Sequence, residues 1–329
     1  MQPPTIRTSE RSSFGRCPQQ WEWAYRYGLK SKAKPADALW FGIGIHEALA
    51  EWYMDGFDRG PVPSKTFDKW VGEEIRFIQA NYEDREREWY DEELYLDARE
   101  LGMSMLDHYL EVYGDDPYLE ILAIEQPFEI EVVVDDEVAA IFKSRLDGVA
   151  IDHWDNLLVL LEHKTAGSIK TVHLPLDNQA GSYFAVATIV LRHQGIIGRK
   201  DVVDGILYNF LRKSRKDPRE RDAQGRYLNK DGRVSKRQPP VAFLRDFVDR
   251  MPREVNNQMR RLSDEVKLMN GMRIGELPVT KNVTGMCPNC QFFQMCVLHE
   301  KGGTAWKDFR DAHYTVENPY EDMRKSATE

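Results

Sequence analysis

Cysteine is scarce in this sequence, and long apolar runs are missing from it. The 329 residues include only four cysteines, and a chain of this length needs no disulfides for stability. No segment approaches the roughly 18 consecutive apolar residues of a membrane span. The first residues also lack the apolar stretch of a secretory signal. We therefore expect a folded protein of the cytoplasm that has no membrane partner.

The sequence has no excess of positive charge, which argues at first against a nucleic-acid-binding protein. Its net charge at pH 7 is -9. The charges are unevenly spread, however, because residues 199–237 contain thirteen Lys and Arg against six Asp and Glu. Screening limits the reach of distant charges to about 10 Å, so a local basic face can still bind phosphates. A solvated charged face explains the same pattern equally well.

The sequence also lacks a G-x-x-x-x-G-K-[ST] loop, so we expect no NTPase motor in this chain. Periodic apolar residues predict helices over residues 14–30, 40–52, 64–113, 175–192 and 241–269. Apolar alternation and short apolar runs predict strands over residues 121–134, 138–152, 157–164 and 202–211. This order of elements is typical of an α/β core with helical additions.

Three segments receive a more specific interpretation. A glycine-rich turn, FGIGIH, is expected to open the second helix. The long charged stretch 64–113 resembles a helical insertion more than a catalytic core. Residues 213–240 carry the turn signals DAQG and NKDGR, which predict a polar, basic loop or hairpin.

The segment SRLDGVAIDHWDNLLVLLEHKT, residues 144–165, holds the most informative side chains. Residues two apart in a strand point the same way, so Glu162 and Lys164 are expected on one side and His163 on the other. Asp147 can reach the same point from the neighbouring strand. Two carboxylates beside a lysine suit a hard cation such as Mg²⁺ and a polarised water, which the lysine can position or deprotonate. The pattern is weak by itself, because an ordinary surface hairpin with salt bridges also contains it.

Three further side chains, one before this segment and two after it, extend the pattern. His46 lies in GIGIHEAL, and Gln179 and Tyr183 lie four apart in NQAGSYFAVA, hence on one helix face. Each of these alone is explained as well by a structural role. Together with Asp147 and the E-x-K residues, they make the chain resemble the RecB-type branch of the PD-(D/E)XK nucleases, in which a helical histidine, D, E-x-K and Q-x-x-x-Y follow in this order.

The resemblance implies a role for each matching residue. His46, Asp147 and Glu162 would hold Mg²⁺ or Mn²⁺, with the backbone carbonyl of His163 as a further ligand. Lys164 would serve the attacking water. The helix residues beside it would orient the lysine or the DNA backbone. The catalytic residues implied are His46, Asp147, Glu162, Lys164, Gln179 and Tyr183.

The resemblance also implies the fold, an α/β PD-(D/E)XK core with a mixed central sheet flanked by helices. A single nuclease domain is expected over residues 1–329. Its expected parts are N-terminal helices (1–60), a large helical insertion (61–117), the nuclease core (118–212), a basic loop or hairpin (213–240), and a C-terminal helix with an iron–sulfur segment (241–329).

The four cysteines are far from evenly placed. Cys287, Cys290 and Cys296 form C-x2-C-x5-C, and Cys17 stands alone near the other end. By their chemistry, four thiolates satisfy an iron–sulfur cluster or a tetrahedral zinc ion, and free thiols are the third alternative. The layout is similar to that of CRISPR-adaptation exonucleases and AddB nuclease domains. This resemblance implies a structural [4Fe–4S] cluster that fastens Cys17 to the C-terminal segment.

DNA is the substrate that the resemblance implies, degraded from free ends in phage or bacterial recombination, replication or repair. A recombinase, a single-strand-binding protein or a helicase is an expected partner. The alternatives are a CRISPR-adaptation nuclease that trims spacers, a restriction endonuclease, and a non-catalytic DNA-binding protein of the same fold. The residues that could line an entrance groove for phosphates are Arg212, Lys213, Arg215 and Lys216.

Overall fold

The computed structural model describes residues 2–32, 36–81 and 91–320. Residues 82–90 of the predicted helical stretch and residues 321–329 lie outside this description. The nine α-helices of the described residues are α1 (Thr8–Arg16), α2 (Pro18–Trp21), α3 (Ala38–Trp52), α4 (Pro63–Asn81), α5 (Glu92–Tyr113), α6 (Asn178–His193), α7 (Pro252–Arg273), α8 (Phe293–Glu300) and α9 (Ala305–His313). None of them is long and apolar enough to cross a membrane.

Eight β-strands accompany these helices in the described part of the chain. They are β1 (Thr5–Ile6), β2 (Leu29–Ser31), β3 (Leu119–Val134), β4 (Glu137–Asp152), β5 (Leu157–Ala166), β6 (Gly205–Arg212), β7 (Phe243–Asp249) and β8 (Tyr314–Val316). The predicted strands at 121–134, 138–152, 157–164 and 202–211 are confirmed as β3 to β6, and the helix predicted at 175–192 as α6.

Six of the strands form one mixed central sheet. β3 and β4 are a long antiparallel hairpin that pairs over nearly its whole length. The other edge of β4 is shared, because β1 pairs with it in parallel at Ile141 and Phe142, and β5 pairs antiparallel with Gly148–Asp152. β6 runs parallel to β5, and β7 runs antiparallel to β6. β5, the strand that carries the E-x-K residues, therefore lies inside the sheet.

Helices cover both faces of this sheet. On one face α1, α6 and α7 pack with Leu160, Ile206 and Tyr208. On the other face α3, α4 and α5 pack with Leu161 and Leu207. Alternate residues of one strand thus enter different clusters, as the pleat requires. Burial on both faces explains why LLVLL of β5 is apolar throughout, and the predicted α/β fold is confirmed.

Helix α3 begins at Ala38, so Gly42 and Gly44 lie inside it and the expected glycine-rich turn is wrong. A Cβ atom on Gly44 would lie 2.5 Å from the ring of Trp70 in α4. A Cβ atom on Gly42 would lie 3.4 Å from Oγ1 of Thr165 in β5. Gly44 is needed because α3 packs closely against Trp70 of α4, whereas a side chain at position 42 would only reach contact distance of the sheet. The helices predicted at 40–52 and in the described parts of 64–113 are confirmed.

The helix predicted over residues 14–30 is interrupted at Cys17, whose backbone is extended (φ -162°, ψ 113°). Pro18 follows, and a proline disfavours the helical conformation of the residue before it. Helix α2 then begins at this proline, which is a favoured first residue of a helix. Cys17 therefore lies at a break between two helices.

The helix predicted over residues 241–269 is wrong in its first part. Phe243–Asp249 is β7, which pairs with Gly205–Leu211 of β6. Helix α7 begins only at Pro252. Local periodicity cannot reveal this strand, because its hydrogen-bond partners lie more than thirty residues earlier in the chain. Residues 213–240 form the predicted long connection, with isolated bridges at Arg221↔Tyr227 and Leu228↔Val234.

A second, two-stranded sheet joins the two ends of the described chain. β2 and β8 pair antiparallel, with Leu29 opposite Val316. Trp23, Phe292 and Met295 pack beside this sheet in a third apolar cluster. The segment with three cysteines is thereby held against the N-terminal region.

Candidate metal centre

The strands β4 and β5 separate at Asp147. Their pairing runs from Asp152↔Leu157 to Gly148↔Leu161 and stops there. Oδ2 of Asp147 then accepts a 2.8 Å hydrogen bond from the backbone N–H of His163. Beyond the last paired residues, the Asp147 side chain thus accepts the next hydrogen bond that links β5 to β4. This bond fixes Asp147 beside the E-x-K segment, as the sequence predicts.

His46 reaches the same point from helix α3. Its Nδ1 lies 3.5 Å from Oδ2 of Asp147, and its side chain is 30% exposed. Burial lowers the pKa of His46, but the charge of Asp147 and its hydrogen bond outweigh burial and raise it to about 9. Burial likewise raises the pKa of Asp147, but His46 and the His163 N–H lower it to about 2. The pocket therefore favours positive charge next to the Asp147 carboxylate.

Glu125 on β3 is a third member of this group, and sequence reasoning missed it. One ligand atom each from His46, Glu125 and Asp147 lie within 4.8 Å of one another. Arg145 donates a 3.1 Å hydrogen bond from Nη1 to Oε2 of Glu125. Burial and the neighbouring Asp147 raise the pKa of Glu125. Among the described residues, this is the set of His, Cys, Asp and Glu side chains that could hold a metal ion.

Glu162 and Lys164 project together from β5 on the side of α6. Nζ of Lys164 donates to Oε1 of Glu162 at 2.6 Å and to Oε1 of Gln179 at 3.2 Å. Nε2 of Gln179 in turn donates to the hydroxyl of Tyr183 at 3.4 Å. Tyr183 also shares a 2.9 Å hydrogen bond with the hydroxyl of Ser144 on β4. The structure thus connects the predicted lysine, glutamine and tyrosine in one hydrogen-bond network. Their catalytic roles stay predictions.

The charge state of this pair follows from burial and partners. Burial raises the pKa of Glu162 to about 7, with Lys164 opposing and Asp147 adding to the shift. Burial lowers the pKa of Lys164, but the Glu162 carboxylate outweighs burial and raises it above its ordinary value. Lys164 is protonated, because Glu162 and Gln179 both accept hydrogen bonds from its ammonium.

His163 points to the opposite side of β5, as predicted from the strand period. Its ring is 4% exposed and stacks on Tyr53 at 5.9 Å between centroids. The amide of Asn209 lies 2.9 Å from its Nδ1. Burial lowers the pKa of His163 to about 4, so the imidazole is neutral. The ring also lies edge-to-face against the ring of His46, with 5.9 Å between centroids, while the backbone N–H of His163 donates to Asp147.

The arrangement and the sequence now agree with a known family. The family model of the PD-(D/E)XK nuclease superfamily matches residues 8–297. The chain belongs to the PD-(D/E)XK nuclease superfamily. No curated protein matches it. Nucleases of this superfamily use divalent metals such as Mg²⁺ or Mn²⁺, and the imidazole and carboxylates of His46, Glu125 and Asp147 fit such an ion by their chemistry.

The four cysteines of this superfamily member line one cavity of about 280 Å³. It lies between the break at Cys17 and the segment 282–300, and its wall includes Trp23 and Phe292. All four cysteines are partly exposed. The fold therefore gathers Cys17 and the three C-terminal cysteines around one space.

Two of the basic residues predicted to bind DNA are paired with the acidic face of α5. Arg215 donates to Oδ1 of Asp97 at 2.6 Å and lies 3.4 Å from Glu100. Lys216 donates to Oε1 of Glu111 at 2.7 Å. All of these side chains are about half exposed or more. The structure therefore places them on the surface beside the helical insertion, partly neutralised by it.

The other two basic residues lie where β5, β6 and α3 meet. Arg212 donates from Nε to the carbonyl oxygen of Gly167 at 3.3 Å. Lys213 donates to the carbonyl oxygen of Ala38 at 3.2 Å, and its ammonium lies 5.1 Å from the ring centroid of Phe41. Burial lowers the pKa of Lys213. Lys213 therefore contacts the start of α3, the helix that carries His46.

Proposed function

We propose that this PD-(D/E)XK protein is a metal-dependent DNA exonuclease of the RecB-type branch. The observation that carries the proposal is the convergence of His46 and Asp147 with the Glu162–Lys164 pair at the point where β4 and β5 separate. A protein that only bound DNA would not need buried carboxylates beside a lysine. The partial exposure of His46 and Lys164 leaves this point open to a substrate.

Each side chain has a part in the proposed reaction. Asp147, His46 and Glu162 would hold the divalent cation, which supplies a polarised water and neutralises charge on the scissile phosphate. The protonated Lys164 would orient the water and stabilise negative charge on the phosphate oxygens. Gln179 would hold the lysine through its 3.2 Å hydrogen bond, and Tyr183 would hold Gln179.

A structural [4Fe–4S] cluster at Cys17, Cys287, Cys290 and Cys296 is part of the proposal. A tetrahedral zinc ion with Zn–S bonds of about 2.3 Å needs sulfur atoms about 3.8 Å apart. In a cubic cluster each thiolate binds a different iron, so the sulfurs stand farther apart. The convergence of all four cysteines on one cavity supports a four-thiolate site, and the resemblance to iron–sulfur nucleases favours the cluster over zinc. It would fasten the two ends of the chain beside the small sheet.

The cofactor proposal is tested by the metal content of anaerobically purified protein. We expect about four irons and four sulfides per chain and the broad visible absorption of an iron–sulfur cluster. Cys17→Ser is expected to lower the iron content, whereas Thr171→Ser, which lies outside the lining of this cavity, leaves it unchanged. One zinc per chain and no iron would contradict the cluster.

The activity is tested by cleavage of linear and circular DNA with Mg²⁺ or Mn²⁺. We expect loss of linear DNA only, abolished by chelation and by Glu162→Ala. The control is Glu129→Ala, a carboxylate of the same sheet that lies on the surface in an ion pair with Lys143. Cleavage of circles would indicate an endonuclease. No cleavage by protein with an intact cluster would indicate a non-catalytic DNA-binding role.

A further inference from the structure

Glu125 has an unusual backbone for its place in the fold. Its φ of 48° lies in the left-handed region, although it is inside strand β3. The other described non-glycine residues with positive φ are short Asp and Asn residues in the connections between elements, namely Asp116, Asp135, Asp136 and Asn156. Such conformations are unfavourable for a longer side chain, and they concentrate at functional sites.

The position of Glu125 in the sheet brings it to the metal group. The neighbouring pairs Ile124↔Gly148 and Gln126↔Leu146 leave Glu125 opposite Asp147. Two carboxylates in so small a space repel each other, and burial strengthens the repulsion. A divalent cation between them removes this cost.

Two cationic side chains border the metal group. Arg145 donates to Oε2 of Glu125 at 3.1 Å, and Lys164 donates to Oε1 of Glu162 at 2.6 Å. The ligand atoms that lie within 4.8 Å of one another belong to His46, Glu125 and Asp147.

We propose that Glu125 is a metal ligand and that it holds one divalent cation together with His46 and Asp147, an inference that rests on the proposed nuclease function. One imidazole nitrogen and two carboxylates suit Mn²⁺, and Mg²⁺ can bind the same oxygens. Glu162, which accepts from Lys164, is the further ligand that the proposed nuclease function adds to this group.

The test is direct titration of the full-length protein with Mn²⁺ in the absence of DNA, by calorimetry and by the paramagnetic signal of free Mn²⁺. Glu125→Gln keeps an acceptor for Arg145 and is expected to weaken Mn²⁺ binding at least about tenfold. Glu129→Gln is the matched control, because it removes the same charge from the same strand and breaks a comparable ion pair with Lys143. Its Mn²⁺ affinity should equal that of wild type.

A second variant separates folding from metal binding. Glu125→Asn places at this position a residue type that tolerates the left-handed conformation, so the chain should fold while Mn²⁺ binding falls. Unchanged affinity in both Glu125 variants overturns the proposal. So does an equal loss in Glu129→Gln, or a wild-type protein that binds no Mn²⁺. If Glu125 is needed for Mn²⁺ binding but the wild type cleaves no DNA, the nuclease function fails and this metal site stands.

Discussion

The side-chain amide of Asn209 donates a 2.9 Å hydrogen bond to Nδ1 of His163, and a second of 2.9 Å to the hydroxyl of Tyr109. All three side chains are buried. The backbone of His163 also donates to Asp147. The Asn209 amide therefore connects β6 and α5 to the part of β5 that forms the candidate metal centre.

Asn209→Leu is expected to destabilise the protein by about 1–3 kcal/mol, because it leaves buried Nδ1 of His163 without a donor. The free energy of unfolding in urea measures this effect. The control is Asn256→Leu on the exposed side of α7, where the change should stay within about 0.5 kcal/mol. Equal effects in the two variants would show that the hydrogen bond contributes nothing of its own.

The ion pair of Arg245 and Asp116 should be costly to break. Arg245 donates from Nη1 to Oδ1 of Asp116 at 2.7 Å and from Nη2 to the hydroxyls of Tyr53 and Tyr109 at 3.1 and 3.0 Å. Arg245→Met leaves a buried carboxylate unpaired, and we expect a loss of about 3–5 kcal/mol in unfolding free energy.

The comparison for this pair is Arg233→Met. Arg233 lies 3.8 Å from Asp231, and both side chains are exposed. Pairs of this kind contribute about 0–1 kcal/mol. The prediction for Arg245 is wrong if its substitution is as mild as that of Arg233.

The stability of the fold should fall as pH rises through the titration of Glu10. This carboxyl is fully buried and accepts from Nε1 of Trp21 at 2.9 Å, from Arg273 at 2.8 Å and from the hydroxyl of Tyr320 at 2.6 Å. Burial raises its pKa and outweighs Arg273 and the hydrogen bonds, which lower it. The folded state therefore holds this proton more tightly than the unfolded state.

By linkage, the contribution of Glu10 is complete below the unfolded pKa and is lost as pH rises through the folded one. Glu10→Gln removes the titrating group, so its melting temperature should fall less than that of wild type between mildly acidic and neutral pH. Thermal unfolding at a series of pH values measures the difference. Parallel profiles for wild type and variant would contradict the assigned pKa direction.

The affinity for DNA should fall when the basic residues beside α5 are reversed in charge. It should rise when their acidic partners on α5 are neutralised. Charge reversal at Arg215 and Lys216 is expected to weaken binding and to lower the salt slope by about one for each phosphate that is no longer neutralised. Asp97→Asn with Glu100→Gln releases Arg215 and should strengthen binding. Fluorescence anisotropy over a salt series measures both.

Glu93→Gln serves as the control for these variants, because Glu93 lies on the same helix and is exposed. Its effect on affinity should be small. If the reversed and the released variants both bind as wild type does, DNA does not contact this surface.

The part of the candidate centre that depends on the two-residue period of a strand could be predicted from the sequence. Glu162 and Lys164 lie two apart, so any strand places them together, and Asp147 follows from a short hairpin. Glu125 was not predictable in this way. A bulge near Val132 shifts the register of the β3–β4 hairpin by one residue, and the residue opposite Asp147 changes with it.

For the cysteines, too, the sequence predicts one part of the arrangement and the tertiary structure decides the other. Their spacing in the sequence separates a group of three from Cys17. Only the packing of β2 against β8 and of Trp23 against Phe292 brings the two parts to one cavity. The sequence pattern did not predict the strand β7 either, because its partner β6 is distant in the chain.

The sequence by itself determined the strand and helix periods, and with them the α/β class and which side chains share a face, because these depend on neighbouring residues. The tertiary structure alone decided the register of β3 on β4, the place of β7 in the sheet, and the meeting of Cys17 with the C-terminal cysteines. The physical reason is that each of these depends on contacts between distant segments, whose packing and hydrogen bonds no local pattern encodes.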